Sequence, residues 1–187
     1  VANVGVCSLP AADAVISDVA QQLAVDSENT AVLNYFNTGG PGNYDNDTTF
    51  PGLTINQDQE NFVTEATATI TIPAPGNWTF GVSSDDGFRL EVGGFTMSYP
   101  DPRGPGDTLQ TFNFPAAGDY PLRLVFYECG GGSEVELFAA QGSLSGWNST
   151  NFRLVGDTPR GGLAVKSPVV GGGGGATGDA GLAAAGG

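Results

Sequence analysis

Short stretches of alternating apolar and polar residues, separated by glycine and proline, constrain the fold of this chain more than any other feature. Between 66 and 72, alanine and isoleucine alternate with threonine, and a Pro-Ala-Pro-Gly run at 73–76 ends the pattern. The alternation returns at 78–82, 88–92 and 120–126. Successive side chains of a strand point to opposite faces, so each stretch predicts a strand with one buried face. Because no helices alternate with these strands, we predict an all-β, antiparallel β-sandwich or jelly-roll-like domain.

The two ends of the chain differ from this pattern. Residues 8–23 carry the helical periodicity of the sequence, with Pro10 and Asp13 as start signals, and predict a short N-terminal helix. The apolar stripe of that helix comprises Val15, Ile16, Val19, Ala20 and Leu23. Residues 158–187 are rich in glycine and alanine and predict a linker or tail. The expected organisation is an N-terminal segment over 1–27, a sandwich over 28–157 and the Gly-rich C-terminal tail.

Composition excludes several classes of function. The 187 residues carry 20 acidic and 6 basic side chains, a net charge of -14, which disfavours binding to nucleic acid. Histidine is absent, so histidine-dependent catalysis and histidine metal sites are ruled out. No apolar stretch approaches the ~20 residues of a membrane-spanning helix, so we expect no membrane insertion. Two cysteines in such a chain fit either one disulfide in an oxidising compartment or two free thiols.

Asp85 and Asp86 stand where one alternating stretch ends and the next begins. Neighbouring residues on a strand cannot aim both side chains at one ion, whereas residues in a turn can. Carboxylates are hard oxygen ligands of the kind that calcium prefers. The pair is therefore a candidate calcium site, although Asp-Asp-Gly is also a common turn sequence.

The segment from 62 to 157 resembles the protective-antigen-fourteen domain, a β-sandwich module of bacterial toxins, glycosidases, surface adhesins and yeast flocculins. The resemblance rests on residues 74–90, 117–128 and 134–138, and residues 34–36 match the opening strand of the family. In lectin-type members the paired aspartates are joined by a cis peptide bond and both bind calcium. This resemblance implies a calcium site at Asp85 and Asp86.

A second calcium loop follows the strand that reads Leu122–Phe126 here, according to the same resemblance. Its side-chain ligand corresponds to Glu128, in place of the asparagine of flocculin-like members, and its carbonyl ligands correspond to Gly130 and Gly132. The substitution leaves a calcium site in place, but sugar specificity does not transfer. A bond between Cys7 and Cys129 would hold the N-terminal segment beside this loop.

Calcium takes 6–8 oxygen ligands, so this set leaves positions that two sugar hydroxyls could fill. Tyr99 and Trp147 are candidate aromatic contacts to such a sugar, with ordinary packing as the alternative for each. The predicted function is a non-catalytic, calcium-dependent carbohydrate-binding module, of lectin or adhesin type, in a secreted or cell-surface protein. Its partner would be a glycan or polysaccharide.

Two other functions compete with this prediction. The first is a structural module of a filament or surface layer, in which the Gly-rich tail contacts neighbouring copies of the chain. The second is a glycoside hydrolase, which needs two carboxylates about 5–9.5 Å apart with one raised pKa. We expect Asp85, Asp86 and Glu128 to be too exposed and too clustered for that chemistry, and we expect no enzymatic activity.

Overall fold

A computed structural model of the chain describes residues 1–168 and 182–186. The strands in these ranges are short and follow one another through tight turns. They are β1 (Asp26–Thr30), β2 (Asn34–Phe36), β3 (Phe62–Ile72), β4 (Gly76–Asp85), β5 (Gly87–Val92), β6 (Phe95–Tyr99), β7 (Gly106–Phe114), β8 (Gly118–Glu128), β9 (Glu134–Gln141), β10 (Arg153–Leu154), β11 (Val165–Lys166) and β12 (Leu182–Gly186). Helix α1 spans Leu9–Ser17, and 3-10 turns lie at Val19–Gln21 and Thr158–Arg160.

These strands form two antiparallel sheets. The seven-stranded sheet has the order β1-β12-β3-β8-β5-β6, with β11 also paired to β3. The five-stranded sheet has the order β10-β9-β4-β7, with β2 also paired to β9. The predicted antiparallel β-sandwich is confirmed. Consecutive strands β4 and β5 belong to different sheets, so the chain crosses from one sheet to the other at residues 85–87.

The main core lies between the sheets and consists of the apolar positions that alternation predicted. Its strand residues include Ala66, Ala68, Ile70, Ile72, Trp78, Phe80, Val82, Phe88, Leu90, Val92, Phe112, Phe114, Leu122, Leu124, Phe126, Val135, Leu137 and Ala139. Most of these side chains are 0–3% exposed. Burial of this many large apolar side chains, at about 25 cal/mol per Å², is the main term that stabilises the sandwich.

The expectation of one buried face per strand is wrong for several central strands. Residues of β4 from Trp78 to Asp85 are buried on both faces. Helix α1 covers the outer face of the seven-stranded sheet over Val125 and Tyr127. Loops cover the outer face of the five-stranded sheet around Phe138 and Phe152. Alternation identifies which residues share a face, but the covering segments are distant in sequence.

Helix α1 is shorter than the predicted range of 8–23. Ser8 caps its start, where the Ser8 side chain accepts a hydrogen bond from the Ala11 amide at 3.3 Å. The helix ends at Ser17 because Asp18 is extended and caps the following 3-10 turn. Val19 and Leu23, predicted on the buried stripe, are therefore 79% and 68% exposed.

Asp13 was predicted as a start signal, but it lies inside α1. Its carboxylate accepts two hydrogen bonds from the Arg89 guanidinium of β5, at 2.8 and 2.9 Å. The Arg89 side chain lowers the pKa of Asp13. The bidentate pair fixes the helix on the sheet, and its partial exposure limits its contribution to stability to about 1 kcal/mol or less.

The predicted tail contributes strands to the seven-stranded sheet. Val165–Lys166 pair with β3, and Leu182–Gly186 insert between β1 and β3 of the same chain. The glycine run at 171–175 lies outside the described residues. Contact of the tail with neighbouring copies stays a prediction.

Candidate functional site

The crossing between the two sheets brings three acidic side chains together. Asp85 ends β4, Asp86 follows it, and Glu128 ends β8. Because β5 pairs with β8 through Gly87 and Tyr127, the start of β5 sets Asp86 beside Glu128. We call Asp85, Asp86 and Glu128 the acidic corner.

The peptide bond between Asp85 and Asp86 is cis, as the family resemblance implies. One carboxylate oxygen from each of Asp85, Asp86 and Glu128 lies within 4.8 Å of the other two. The three residues are buried, with exposed fractions of 7%, 4% and 0%, so the expectation that they are exposed is wrong. The loops that carry Arg103 and Cys129 pack on this corner and cover it. This spacing lets all three carboxylates contact one cation.

Backbone amides orient Asp86 from two directions. Its Oδ1 accepts a hydrogen bond from the Arg103 amide, and its Oδ2 accepts one from the Cys129 amide, both at 2.8 Å. Carboxylate oxygens each accept more than one interaction, so both bonds are compatible with metal binding. Because Gly87 packs on the Tyr127 ring, where a Cβ atom would come within 2.5 Å of Cε1, the turn has no room for a larger residue.

The Glu128 carboxylate has no hydrogen-bond partner for either oxygen among the described residues. Burial, and then the charges of Asp86 and Asp85, raise the pKa of Glu128 to about 9. The Gly130 amide faces this carboxylate and lowers the pKa, but it does not reach the geometry of a hydrogen bond. A buried carboxylate without partners is destabilising unless a cation compensates its charge.

The negative charge of Asp85 is also poorly compensated, although less so than that of Glu128. Burial and the neighbouring Asp86 raise the pKa of Asp85 to about 6, while Arg103 acts in the opposite direction. Two features of the acidic corner therefore suit a divalent cation that prefers oxygen ligands. The buried carboxylate oxygens of Glu128 lack partners in the described ranges, and all donor atoms of the corner are hard oxygens.

The glycine loop after Glu128 runs along the segment that follows β2. Gly132 packs against Thr38, where a Cβ atom would lie 2.6 Å from the Thr38 carbonyl oxygen, and the Ser133 amide donates to that oxygen at 3.0 Å. Gly131 has φ +100, a conformation that favours glycine. The proposed ligand role of the Gly130 and Gly132 carbonyls stays a prediction.

Cys7 and Cys129 form a disulfide, as predicted, with their Cα atoms 4.6 Å apart. Cys129 directly follows Glu128 and donates its amide hydrogen to Asp86. Cys7 precedes Ser8, the cap of helix α1. The disulfide therefore attaches the N-terminal segment to the backbone that orients the acidic corner.

The structure separates the two predicted aromatic contacts. Tyr99 lies at the end of β6 near the acidic corner, and the Arg103 guanidinium carbon is 4.1 Å from its ring centroid. Trp147 instead packs on the outer face of the five-stranded sheet with Phe138. Phe138 is four residues along β9 from Glu134, the partner of Asp85, or about 13 Å of strand. Trp147 therefore does not line the acidic corner.

Sequence reasoning missed Arg103, which holds the corner from its other side. Its guanidinium donates to the Ser84 carbonyl at 3.1 Å, to the Ser84 hydroxyl at 2.8 Å and to the Thr108 hydroxyl at 3.0 Å. Burial lowers the pKa of Arg103. Nothing in the proline- and glycine-rich loop around Arg103 distinguishes this arginine from a solvent-exposed one.

Family and structure comparisons agree with this fold. The model of the PA14 (protective-antigen-fourteen) domain matches residues 24–150, more than half of the chain. The chain belongs to the PA14 domain family. No curated protein matches its sequence.

Two solved structures share the PA14 fold with this chain. The PA14 sugar-binding domain from an RTX adhesin has a TM-score of 0.54 and 16% identity, over 80% of this chain and 84% of that one. The PA14 domain of the MpAFP antifreeze protein has a TM-score of 0.57 and 14% identity, over 82% of this chain and 81% of that one. None of the described helices of this PA14 domain is long and apolar enough to cross a membrane.

Proposed function

We propose that this PA14 domain is a non-catalytic, calcium-dependent carbohydrate-binding module of a secreted or cell-surface protein. The observation that carries the proposal is the acidic corner, in which three buried carboxylates converge and neither oxygen of Glu128 has a hydrogen-bond partner within residues 1–168 and 182–186. A cation offsets both the mutual repulsion of the carboxylates and the burial of Glu128.

Calcium fits this corner better than the other common ions. Zinc and copper sites in proteins use histidine or cysteine, whereas the chain has no histidine and its two cysteines are bonded to each other. Magnesium keeps several waters and is bound by one or two carboxylates. Three converging carboxylates, with Gly130 and Gly132 as further carbonyl donors, provide part of a calcium shell and leave positions for other oxygen ligands.

Carbohydrate is the ligand class that suits those open positions. Two vicinal hydroxyls of a sugar can complete the calcium shell, and a PA14 domain of similar fold is described as sugar-binding. Tyr99 lies close enough to contribute an aromatic contact, although Arg103 covers one face of its ring. The disulfide supports a secreted or surface location, because disulfides persist in oxidising compartments.

Catalysis by the acidic corner is disfavoured by its spacing. Glycosidase carboxylates stand about 5–9.5 Å apart, so that a sugar or a water fits between them. The three carboxylates here converge within 4.8 Å, and a bound cation would keep them ionised. The corner is therefore suited to binding an ion and not to general acid catalysis.

Calcium titration followed by thermal denaturation tests the ion. At a calcium concentration 100-fold above Kd, linkage raises the free energy of unfolding by about 2.7 kcal/mol, which raises Tm by roughly 5–10 °C for a domain of this size. The double variant Asp85→Asn/Asp86→Asn should lose this shift. A matched control, Asp26→Asn/Asp45→Asn, removes two exposed charges away from the acidic corner and should keep it.

Retention on glycan surfaces tests the sugar. The wild-type domain should be retained in calcium and released by a chelator, and the Asp85→Asn/Asp86→Asn variant should not be retained. A calcium-induced Tm shift without retention on any glycan would support the ion and refute the lectin function. The absence of a Tm shift would refute the whole proposal.

A further inference from the structure

A cavity lies on the outer face of the five-stranded sheet, away from the acidic corner. Its volume is about 650 Å³, within the range of small-molecule sites. The lining used in the argument below comprises Tyr44, Asp45, Trp147, Arg153, Asp157 and Arg160. We call this cavity the outer cleft.

Aromatic side chains form one wall of the outer cleft. The Tyr44 and Trp147 rings meet edge to face with centroids 5.9 Å apart, and the Tyr44 ring packs on Phe138 at 5.8 Å. Both Tyr44 and Trp147 are only partly buried, so each keeps surface toward the cleft. The Trp147 indole N–H donates to the Tyr44 hydroxyl at 3.4 Å, which leaves the Tyr44 O–H hydrogen free to donate to a ligand.

Charged groups line the cleft in equal numbers. Asp45 and Asp157 contribute two negative charges and Arg153 and Arg160 two positive ones, so the formal charge of the lining is zero. The whole chain has a net charge of -14, which makes a neutral cavity distinctive. Mixed donors and acceptors without net charge favour an uncharged polar ligand over an ion.

Hydrogen bonds within the protein fix both sides of the cleft in the absence of a ligand. Buried Glu136 of β9 accepts hydrogen bonds from the Asn43 amide at 2.7 Å and the Tyr44 amide at 2.8 Å, which fixes the aromatic wall. On the opposite side, the Arg153 guanidinium donates to the carbonyls of Ser149 at 2.8 Å and Arg160 at 3.0 Å. A preformed site loses little conformational entropy on binding.

We propose that the outer cleft binds an uncharged saccharide without calcium. An aromatic wall can pack on the apolar face of a sugar ring, while the Tyr44 hydroxyl and the charged side chains exchange hydrogen bonds with its hydroxyls. The volume suits one or two sugar units. This inference does not rest on the function proposed for the acidic corner, because no residue is shared between the two sites.

Titration with neutral disaccharides in a chelator tests the proposal. The probes are maltose, cellobiose and lactose, with a glucuronic-acid disaccharide for comparison, up to about 50 mM because a weak single site has Kd near the millimolar range. The readouts are tryptophan fluorescence and amide NMR shifts. Trp78 is 7% exposed and donates to the Ala74 carbonyl, so a fluorescence change reports on Trp147. We expect a response in residues 43–46 and 147–160 to at least one neutral disaccharide.

Variants separate the cleft from the rest of the molecule. Trp147→Ala should weaken binding about tenfold, and Tyr44→Phe should weaken it less. The matched control is Tyr120→Phe, in a similar cavity of about 630 Å³ on the other sheet, and it should have no effect. Asp85→Asn/Asp86→Asn should bind the disaccharide normally, which distinguishes this site from the acidic corner.

Four results would overturn the inference. They are no response to any neutral disaccharide, a response that appears only with calcium, binding of the charged disaccharide alone, and unchanged affinity in Trp147→Ala. NMR spectra show whether that variant is folded, and Tyr44→Phe gives an independent reading if it is not.

Discussion

Glu128 and Glu136 are both buried glutamates on strands of the sandwich, yet their surroundings are opposite. Glu136 accepts hydrogen bonds from the amides of Asn43 and Tyr44, and it holds a loop in place. Glu128 accepts none from the part of the chain that the structure describes, and it faces two other carboxylates. Burial raises the pKa of Glu136 to about 7 and that of Glu128 to about 9. A buried acid whose partners lie within the protein is a structural anchor, whereas one without partners indicates a missing ligand.

The largest expected effect concerns the covalent bond beside Glu128, which has no counterpart beside Glu136. Replacing Cys7 and Cys129 by serine should lower the free energy of unfolding by about 2–5 kcal/mol, because a long loop is released in the unfolded chain. Chemical denaturation measures it. Since the Cys129 amide donates to Asp86, calcium affinity should also fall. Unchanged calcium affinity in a folded variant would show that the bond does not support the acidic corner.

The Glu136→Gln variant should lose about 1–3 kcal/mol of stability with or without calcium. One carboxylate oxygen becomes an NH₂ group that faces the amide of Asn43 or Tyr44, so a buried donor loses its acceptor. Denaturation with calcium and with a chelator measures the loss. If calcium reversed this loss of stability, Glu136 would be an ion ligand, and it would not differ from Glu128 in the way described above.

The Glu128→Gln variant should change the free energy of unfolding in the opposite direction. Without calcium it should be more stable than the wild type by about 1–2 kcal/mol. The reason is that an amide, which is neutral at every pH, replaces a buried carboxyl group without partners. In calcium it should lose the stabilisation that the wild type gains. Destabilisation in chelator would indicate that Glu128 has a partner within the folded protein, as Glu136 does.

The smallest expected effect, taken per pH unit, is on the pH dependence of stability in chelator. Both glutamates have folded pKa values above the ordinary 4.5, so the folded state binds more protons and stability falls as pH rises. The decrease due to Glu136 ends near pH 7, and that due to Glu128 continues to about pH 9. Each group contributes a slope of at most about 1.4 kcal/mol per pH unit, reached where it is protonated in the folded state and ionised in the unfolded state.

Comparing the variants across pH isolates the contributions of Glu136 and Glu128 to this curve. Burial also raises the pKa of Asp85 to about 6 and that of Glu134 to about 8, and their contributions are present in both variants. Glu136→Gln should flatten stability between about pH 4.5 and 7, and Glu128→Gln should flatten it up to about pH 9. The measurement is the free energy of unfolding at several pH values. Identical curves for the two variants would show that the two acids have the same environment.

Local patterns in the sequence predicted much of the fold and part of the site. Two-residue alternation identified the strands and their inner faces, because that periodicity is a property of the strand itself. The Asp85-Asp86 pair was recognised from its position between two strands, and Glu128 from the family resemblance. The end of helix α1 was misjudged because the apolar spacing continues through Val19 and Leu23, although Asp18 ends the helix.

The remaining features depend on contacts between residues distant in sequence. Glu128 and Glu136 are both acidic residues on strands, and nothing local distinguishes an orphaned carboxylate from a hydrogen-bonded one. That difference arises because the loop at 43–44 covers Glu136 and not Glu128. Tyr44, which donates a hydrogen bond to Glu136, is 92 residues away from it in sequence. Arg103 and the outer cleft have the same origin.

Strand periodicity and the paired aspartates are encoded locally, because they depend on side-chain direction along a strand and on the chemistry of adjacent residues. Which buried acid lacks a partner, and which aromatic residues share a cavity, was decided by packing of the two sheets and their loops. Burial and hydrogen bonding are properties of the assembled fold, since they depend on where distant segments meet.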